Sequence, residues 1–506
     1  MSRPKVAVLT ESPDDSPRSW AAVEYIIEVL EKEYDVTRLS VLNSEPRNGK
    51  KATKTELKNA GDVVNRASQY PFVVLVGNTP LQAITGSTGI SRERGRPRKI
   101  GKSIMLPVNN PMTIFHDPLQ EDVLKSDLEL FRSIVKFGGI PEEKELNIRI
   151  VQDRGDFLKM LEDLRGTVAF DVETNSLNPF QVTNEDGEHE PAKVTALGFS
   201  TARYQWCLGL NSPTAPLTQT EVASWMDELT DVLRDCFIVT HNGKFDMLWM
   251  WVHFGVRWRI DFDTMLAHFL LNENMRHGLK YLAMVYLKAP DWEVDLETKK
   301  GAGSFLDQAK YLAHDVYYTR MLRFVFGKML NGDQEVRDVF KHIMIPSANI
   351  FVEIEYDGVY IDMNKFEDAE AYLREQYNSA LGRLRQWEPK YVVNTKGKQE
   401  PFNWGSPKQL GKLLFDDLKL PVIERTAAGG RSCSESVLKR LNHPMVQDLL
   451  KFREAKQQLS FFIDGWKPYL HKRSDGYYLH PSFKLHGTVT DADRVRPFPD
   501  RASRRS

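Results

Sequence analysis

The pattern of apolar and polar positions divides the chain into blocks of different texture. Over residues 1–145, short β-branched runs alternate with helical stretches. Lys5–Thr10 reads as a strand, Trp20–Lys32 carries helical periodicity, and Phe72–Gly77 is an apolar run closed by glycine, as in a buried strand. A second α/β block starts near Asn147. It predicts strands at Thr167–Glu173, Lys193–Ser200 and Phe237–Thr240, then several helices to about Leu330. From Asp333 to Leu470 the pattern is mostly helical. Glu355-Tyr-Asp-Gly-Val359 reads as a helix stop followed by a short strand. Asn364–Trp387 is a long amphipathic helix, and Pro444–Leu470 predicts another.

Composition narrows this picture. A chain of 506 residues predicts about three domains at roughly 100–200 residues each. With 68 Lys and Arg against 69 Asp and Glu, any grip on nucleic acid must come from local basic patches. One such patch is Ser91–Lys102, a basic stretch around Gly95 and Pro97 that reads as a loop, either solvated at the surface or contacting phosphate. Three scattered cysteines make no zinc spacing and argue against a disulfide framework. The N-terminus does not resemble a signal peptide, and no run of about 18 apolar residues suggests a membrane span. The expected setting is the cytoplasm, with no membrane partner.

Candidate chemistry lies in the middle block. In the strand Thr167-Val-Ala-Phe-Asp-Val-Glu-Thr174, alternation puts Val168, Phe170 and Val172 on one face and Asp171 with Glu173 on the other. Two carboxylates on one face repel each other, and a cation relieves that. In Phe237-Ile-Val-Thr-His-Asn-Gly-Lys-Phe-Asp246 a strand runs into a helix, with Asn242 suited to cap it and Asp246 in the first turn. In Tyr311-Leu-Ala-His-Asp315 the four-residue spacing puts Tyr311 and Asp315 on one helical face.

Together these segments resemble the DxE, NxxFD and YxxxD signature of the DEDD exonucleases, in their tyrosine subclass. Asp263-Thr-Met-Leu and His277-Gly-Leu-Lys-Tyr-Leu-Ala are similar to that family's linking helices. The resemblance implies a ribonuclease H-like domain that removes nucleotides from the 3′ end of a strand. It implies Asp171, Glu173, Asp246 and Asp315 as ligands of two Mg²⁺ or Mn²⁺ ions, roughly 4 Å apart. Asp171 would bridge both ions, with Glu173 and Asp315 on the nucleophile side and Asp246 at the second ion. Tyr311 would orient the attacking water, Leu177 would wedge against the terminal base, and Asn242 would lie against DNA.

The segments that follow resemble family A DNA polymerases, of a type that phages encode. Ile345-Pro346, Glu355–Asp362, Phe402-Asn-Trp-Gly-Ser-Pro-Lys-Gln-Leu410, Gly429–Leu438, His443-Pro444, Leu449–Arg453 and Leu479–Thr490 carry that likeness. It implies a thumb that tracks primer–template DNA, with Arg453 and Lys456 on one helical face as phosphate contacts. Beyond Thr490 the likeness stops. Asp491–Ser506 is an Arg-rich tail, expected to be disordered, and the palm and fingers motifs are not found. The chain alone is therefore not expected to extend a primer, and a separately encoded palm and fingers half is a candidate partner.

The N-terminal block is similar to the uracil-DNA glycosylases at Val74–Ile84, Arg94-Gly95, Leu106-Pro107 and Asn110-Pro111. Asn110 stands where that family has histidine, and its water-activating motif is not matched. A glycosylase-like fold with little or no uracil excision is implied. The expected architecture is thus an α/β multidomain protein. It runs from a glycosylase-like domain (1–145) through an exonuclease (146–330) and a thumb segment (331–490) to the tail (491–506). The function implied is proofreading in DNA replication, on single-stranded 3′ ends and primer–template DNA. Alternatives are an RNase D-like exonuclease acting on RNA and a non-catalytic DNA-binding subunit of a split polymerase.

Overall fold

A computed structural model describes residues 3–12, 17–42, 60–115, 120–140, 145–180, 192–211, 214–287, 305–390, 399–426 and 429–486. It also describes residues 52–53, 55, 57, 182–183, 189–190, 289, 292, 392–393 and 494–496. Two compact units result. The first comprises residues 1–182, 191–356 and 483–495, and the second residues 183–190, 357–482 and 496–506.

The first unit holds two sheets. The N-terminal sheet is built from β1 (Lys5–Thr10), β2 (Asp35–Ser40), β3 (Phe72–Val76), β4 (Arg98–Ile100) and β5 (Ser103–Val108), in the order β2-β1-β3-β5-β4. Four strands run parallel and β4 is antiparallel to β5. β3 and β5 are buried almost throughout, as expected of strands covered on both faces. The helices α1 (Pro17–Glu31) and α2 (Gln120–Phe137) are the long ones of this part. Phe131 and Leu128 of α2 pack in one apolar core with Val74 and Leu106 of the sheet.

The second sheet comprises β6 (Ile148–Val151), β7 (Thr167–Thr174), β8 (Val194–Ser200), β9 (Gln205–Gly209), β10 (Phe237–Thr240) and β11 (Phe262–Asp263). Their order is β11-β10-β7-β8-β9-β6, with β7 central. β7 is antiparallel to β8 and parallel to β10. The helix α3 (Gly243–Phe254) leaves β10, and α4 (Thr264–Leu271) leaves β11. After the short helix α5 (Leu279–Leu282), the long α6 (Phe305–Leu330) crosses the sheet. Two glycines let α6 come close. A Cβ on Gly198 would meet Leu312 Cγ at 2.6 Å, and one on Gly209 would meet the Phe305 ring at 2.4 Å. α7 (Ile345–Asp357) completes the unit.

The second unit is mainly helical. Its long helices are α8 (Met363–Leu384) and α9 (Pro444–Gln458), which share a core of Leu384, Met445, Leu449 and Phe452 with Leu410, Leu414 and Trp404. Val359–Ile361 pairs with the hairpin His471–Arg473 and Gly476–Leu479. Among the described residues no helix is long and apolar enough to cross a membrane.

Three expectations change. The basic stretch 91–102 is not one open loop. Ile90–Glu93 is a helical turn and Arg98–Ile100 is β4. Arg94 is buried and holds buried Asp127 through two hydrogen bonds, Nε to Oδ2 at 2.9 Å and Nη2 to Oδ1 at 2.7 Å. Its charge is therefore spent inside the fold, not on phosphate. Finally, most of the tail lies outside the described residues, and Arg494–Arg496 within it is a short strand, not the disordered segment expected.

Candidate exonuclease site

The site is assembled where α6 and α3 meet the central strand β7. Along β7, Val168, Phe170 and Val172 are buried, and Asp171 and Glu173 are half-buried on the opposite face. That face is covered by α6, whose close approach over Gly198 brings in Asp315, between Leu312 and Val316. Carboxylate oxygens of Asp171, Glu173 and Asp315 all lie within 4.8 Å of one another.

Asp246 is buried in the first turn of α3, and its Oδ1 accepts the backbone N–H of Val172 at 3.1 Å. This bond ties the helix to the strand between the two β7 carboxylates. Asp246 is the largest charge acting on Asp171, though it stands outside the tight trio.

Burial, then mutual repulsion, sets the electrostatics. Asp171 is held well above the ordinary carboxylate range, first by burial and then by Asp246, Asp315 and Glu173. Glu173 is pushed up to about 8 by burial and by Asp315. Burial likewise raises Asp246, against the bond from Val172. Carboxylates crowded in this way fit hard divalent cations, which neutralise the repulsion and take oxygen ligands.

The remaining predicted residues divide. Tyr311 lies one turn before Asp315 on α6, and its hydroxyl accepts a hydrogen bond from Lys280 Nζ. Leu177 is exposed on the loop leaving β7. Asn242 is exposed at the start of α3, but it does not cap that helix with its side chain. It adopts a left-handed conformation, φ 63°, which asparagine tolerates better than most residues. The capping is done by buried Asp263, whose Oδ2 accepts Gly243 N–H at 2.7 Å while Oδ1 accepts Met265 and Leu266 N–H. One carboxylate thus fixes the starts of both α3 and α4.

Arg453 and Lys456 lie in the second unit, on α9. Arg453 is half-buried, and its Nη1 donates to the Cys433 carbonyl at 2.7 Å. Lys456 is exposed.

Three contributors have roles that the motifs did not reveal, two of them inside the linking segments. Lys280 places an ammonium beside Tyr311 and lowers the pKa of both Asp171 and Glu173 against the effect of burial. Trp292 donates from Nε1 to Asp315 Oδ1 at 2.8 Å. Asp263 is the double cap, and its signal was present: an acidic residue directly before the apolar helix Thr264–Leu271. Nothing local marks Trp292.

Comparison with known proteins agrees with this geometry. Residues 148–331 match the 3′-5′ exonuclease family of the polymerase A type, and residues 370–492 match DNA polymerase family A. The DNA polymerase of Bacillus phage SP01 is 24% identical over 538 residues, covering 91% of this chain and 57% of that protein. The DNA polymerase of Escherichia phage T5 is 26% identical over 428 residues, covering 78% of this chain and 48% of that protein. The chain thus spans about half the length of these relatives. A solved structure of the POL domain of Pol1 from M. smegmatis, in complex with DNA primer-template and dNTP, shares the fold. It has a TM-score of 0.51 and 21% identity, over 69% of this chain and 54% of that one. These relatives are DNA polymerases and not RNA-processing exonucleases of the RNase D type. The exonuclease match spans the carboxylate site and the polymerase match begins in the helical unit, so in both parts the chain is similar to family A DNA polymerases.

Proposed function

We propose that this chain hydrolyses the terminal nucleotide from the 3′ end of DNA, as the proofreading part of a replicative polymerase. The observation that carries this is the convergence of Asp171, Glu173 and Asp315 within 4.8 Å, with Asp246 bonded to the intervening residue Val172. Two divalent ions held by these four carboxylates, Mg²⁺ or Mn²⁺, would activate water and stabilise the leaving 3′ oxygen. The chain's own residues do the rest. Asp171 and Glu173 are fixed by the central strand, Asp315 by α6 and Trp292, and Asp246 by Val172. The Tyr311 hydroxyl orients the attacking water. Exposed Leu177 lies beside the end of β7 to wedge against the terminal base, and exposed Asn242 lies four residues before Asp246 to meet the strand. Arg453 and Lys456, three residues apart on α9, would contact primer–template phosphate.

The test uses single strands labelled at the 3′ or the 5′ end, as DNA and as otherwise identical RNA. Release of nucleoside monophosphates from the 3′ end of DNA, dependent on divalent cation, is expected. Equal or faster degradation of RNA would favour an RNA-processing role, because the 2′-OH is the only difference offered. Release from the 5′ end, or none, would remove the proposal.

For the N-terminal sheet, a glycosylase-like fold without uracil excision is the reading we favour. Val74–Ile84 runs from β3 into the helix Asn78–Thr85, and Asn110 follows β5. A Cβ on Gly77, at φ 83°, would lie 3.4 Å from Asn110 Cβ, so the two matched segments meet beyond the C-terminal ends of the neighbouring strands β3 and β5. Abasic sites formed on uracil-containing DNA would contradict the inactive reading.

A further inference from the structure

A cation, Lys280, lies close to the carboxylate site. Lys280 lies on α5, and its Nζ both donates to the Tyr311 hydroxyl and sits 4.3 Å from the centroid of that ring. An ammonium has donors and no acceptor, so in this contact the phenol oxygen must accept. One lone pair of the hydroxyl is then fixed, and its own proton must point away from Lys280.

α5 continues into the helical turn Ala283–Leu287, nine residues in all, and a helix this short is not stable alone, so the place of Lys280 depends on what holds the segment. The next residue answers this. The Tyr281 hydroxyl is 2.7 Å from Ser126 Oγ, and the Arg94 guanidinium lies 5.7 Å from the Tyr281 ring centroid. Gly95, at φ 73°, makes room for the contact. A Cβ there would meet Asp127 Oδ1 at 3.0 Å and the Tyr281 ring at 3.5 Å. The buried Arg94–Asp127 pair therefore serves as the seat on which the N-terminal sheet grips α5, one residue away from Lys280.

We propose that Lys280 is a positioning residue of the exonuclease site, which acts by fixing the Tyr311 hydroxyl for its work on the attacking water. This rests on the exonuclease reading above. It adds a residue whose effect on the reaction passes through Tyr311 and not through the ions or the DNA.

The experiment is a double-mutant cycle on the whole chain, with 3′-labelled single-stranded DNA at saturating Mg²⁺. The variants are Lys280→Met, Tyr311→Phe, the two combined, and Lys280→Arg. Lys280→Met is expected to lower kcat by about 10-fold to 100-fold with KM unchanged, the range typical of residues that orient a reacting group. The double variant is expected to be as slow as Tyr311→Phe alone, within about 2-fold, because the hydroxyl on which Lys280 acts is already gone. Lys280→Arg, which keeps a charged donor, should recover most of the rate, and this rescue separates positioning from misfolding. Losses that multiply in the double variant would overturn the proposal, because Lys280 would then act independently of Tyr311. A raised KM with unchanged kcat would also overturn it, since the lysine would be holding DNA. A wild-type chain that releases no nucleotide would remove the exonuclease reading, and this inference with it. An active wild type with a fully active Lys280→Met would remove this inference alone.

Discussion

The indole of Trp292 donates a hydrogen bond to Asp315 Oδ1 at 2.8 Å, while its ring stacks on Tyr318 with centroids 4.6 Å apart. One oxygen of this proposed metal ligand is thereby held by the protein. Partners of this kind orient ligands and are worth roughly 10–100-fold in metal affinity or activity. Trp292→Phe keeps an aromatic ring on Tyr318 and removes only the donor. It is expected to raise the Mg²⁺ concentration needed for half-maximal nucleotide release by about 10-fold or more. A metal titration that superimposes on the wild type would show that the indole bond is incidental.

A second prediction concerns the buried pair Lys244–Glu355. Lys244 lies two residues before Asp246 on α3, and Glu355 lies on α7. Glu355 Oε1 also accepts the backbone N–H of Phe483 at 2.6 Å. Burial outweighs the mutual attraction in both partners, raising the glutamate and lowering the lysine. Breaking such a pair leaves one uncompensated charge, at a cost of about 3–5 kcal/mol, whereas replacing both groups by apolar ones is often nearly neutral. Glu355→Ala should therefore unfold at markedly lower urea concentration than the wild type. Lys244→Met combined with Glu355→Met should recover most of the difference. Equal losses in both variants would show that the pair itself supplies net stability.

The carboxylate cluster predicts a pH dependence of stability. Glu173 is pushed up to about 8, and Asp171 and Asp246 are raised as well. A raised carboxylate pKa means that the folded state binds more protons than the unfolded one. The contribution is fully present below the unfolded value of about 4 and is lost as pH rises through the folded value. Without divalent cations, the Tm should fall between about pH 5 and pH 8. Added Mg²⁺ should raise it, and by more at the higher pH, because the ions take the deprotonated form. In Glu173→Gln both effects should shrink. A metal-free Tm that rises over this interval would contradict the arrangement.

Much of this site was legible because each motif sits on a simple local pattern. Alternation alone sorts Val168, Phe170 and Val172 from Asp171 and Glu173, and α6 carries Tyr311 and Asp315 one turn apart. What escaped depends on contacts distant in sequence. β5 was hidden by Pro107, since proline interrupts the pattern of an interior strand. It is tolerated because β4 pairs only with Ser103–Met105, so Pro107 has a strand neighbour on one side only. Arg94 looked like its basic neighbours, and only the fold shows Asp127, 33 residues away, buried against it. Trp292 and Asp315 are separated by 23 residues, and no periodicity links them.

The central claim is that Asp171, Glu173, Asp246 and Asp315 form a metal-dependent exonuclease site, and Asp171 is the residue on which it turns. The most direct measurement is nucleotide release from 3′-labelled single-stranded DNA by the wild type and by Asp171→Ala, with Mg²⁺, with Mn²⁺ and with excess chelator. The account predicts release by the wild type only when a divalent cation is present. It predicts a loss of several orders of magnitude in Asp171→Ala, because one carboxylate of the close trio, proposed to hold both ions, is gone. Release by Asp171→Ala at the wild-type rate, or release that persists in chelator, would contradict it.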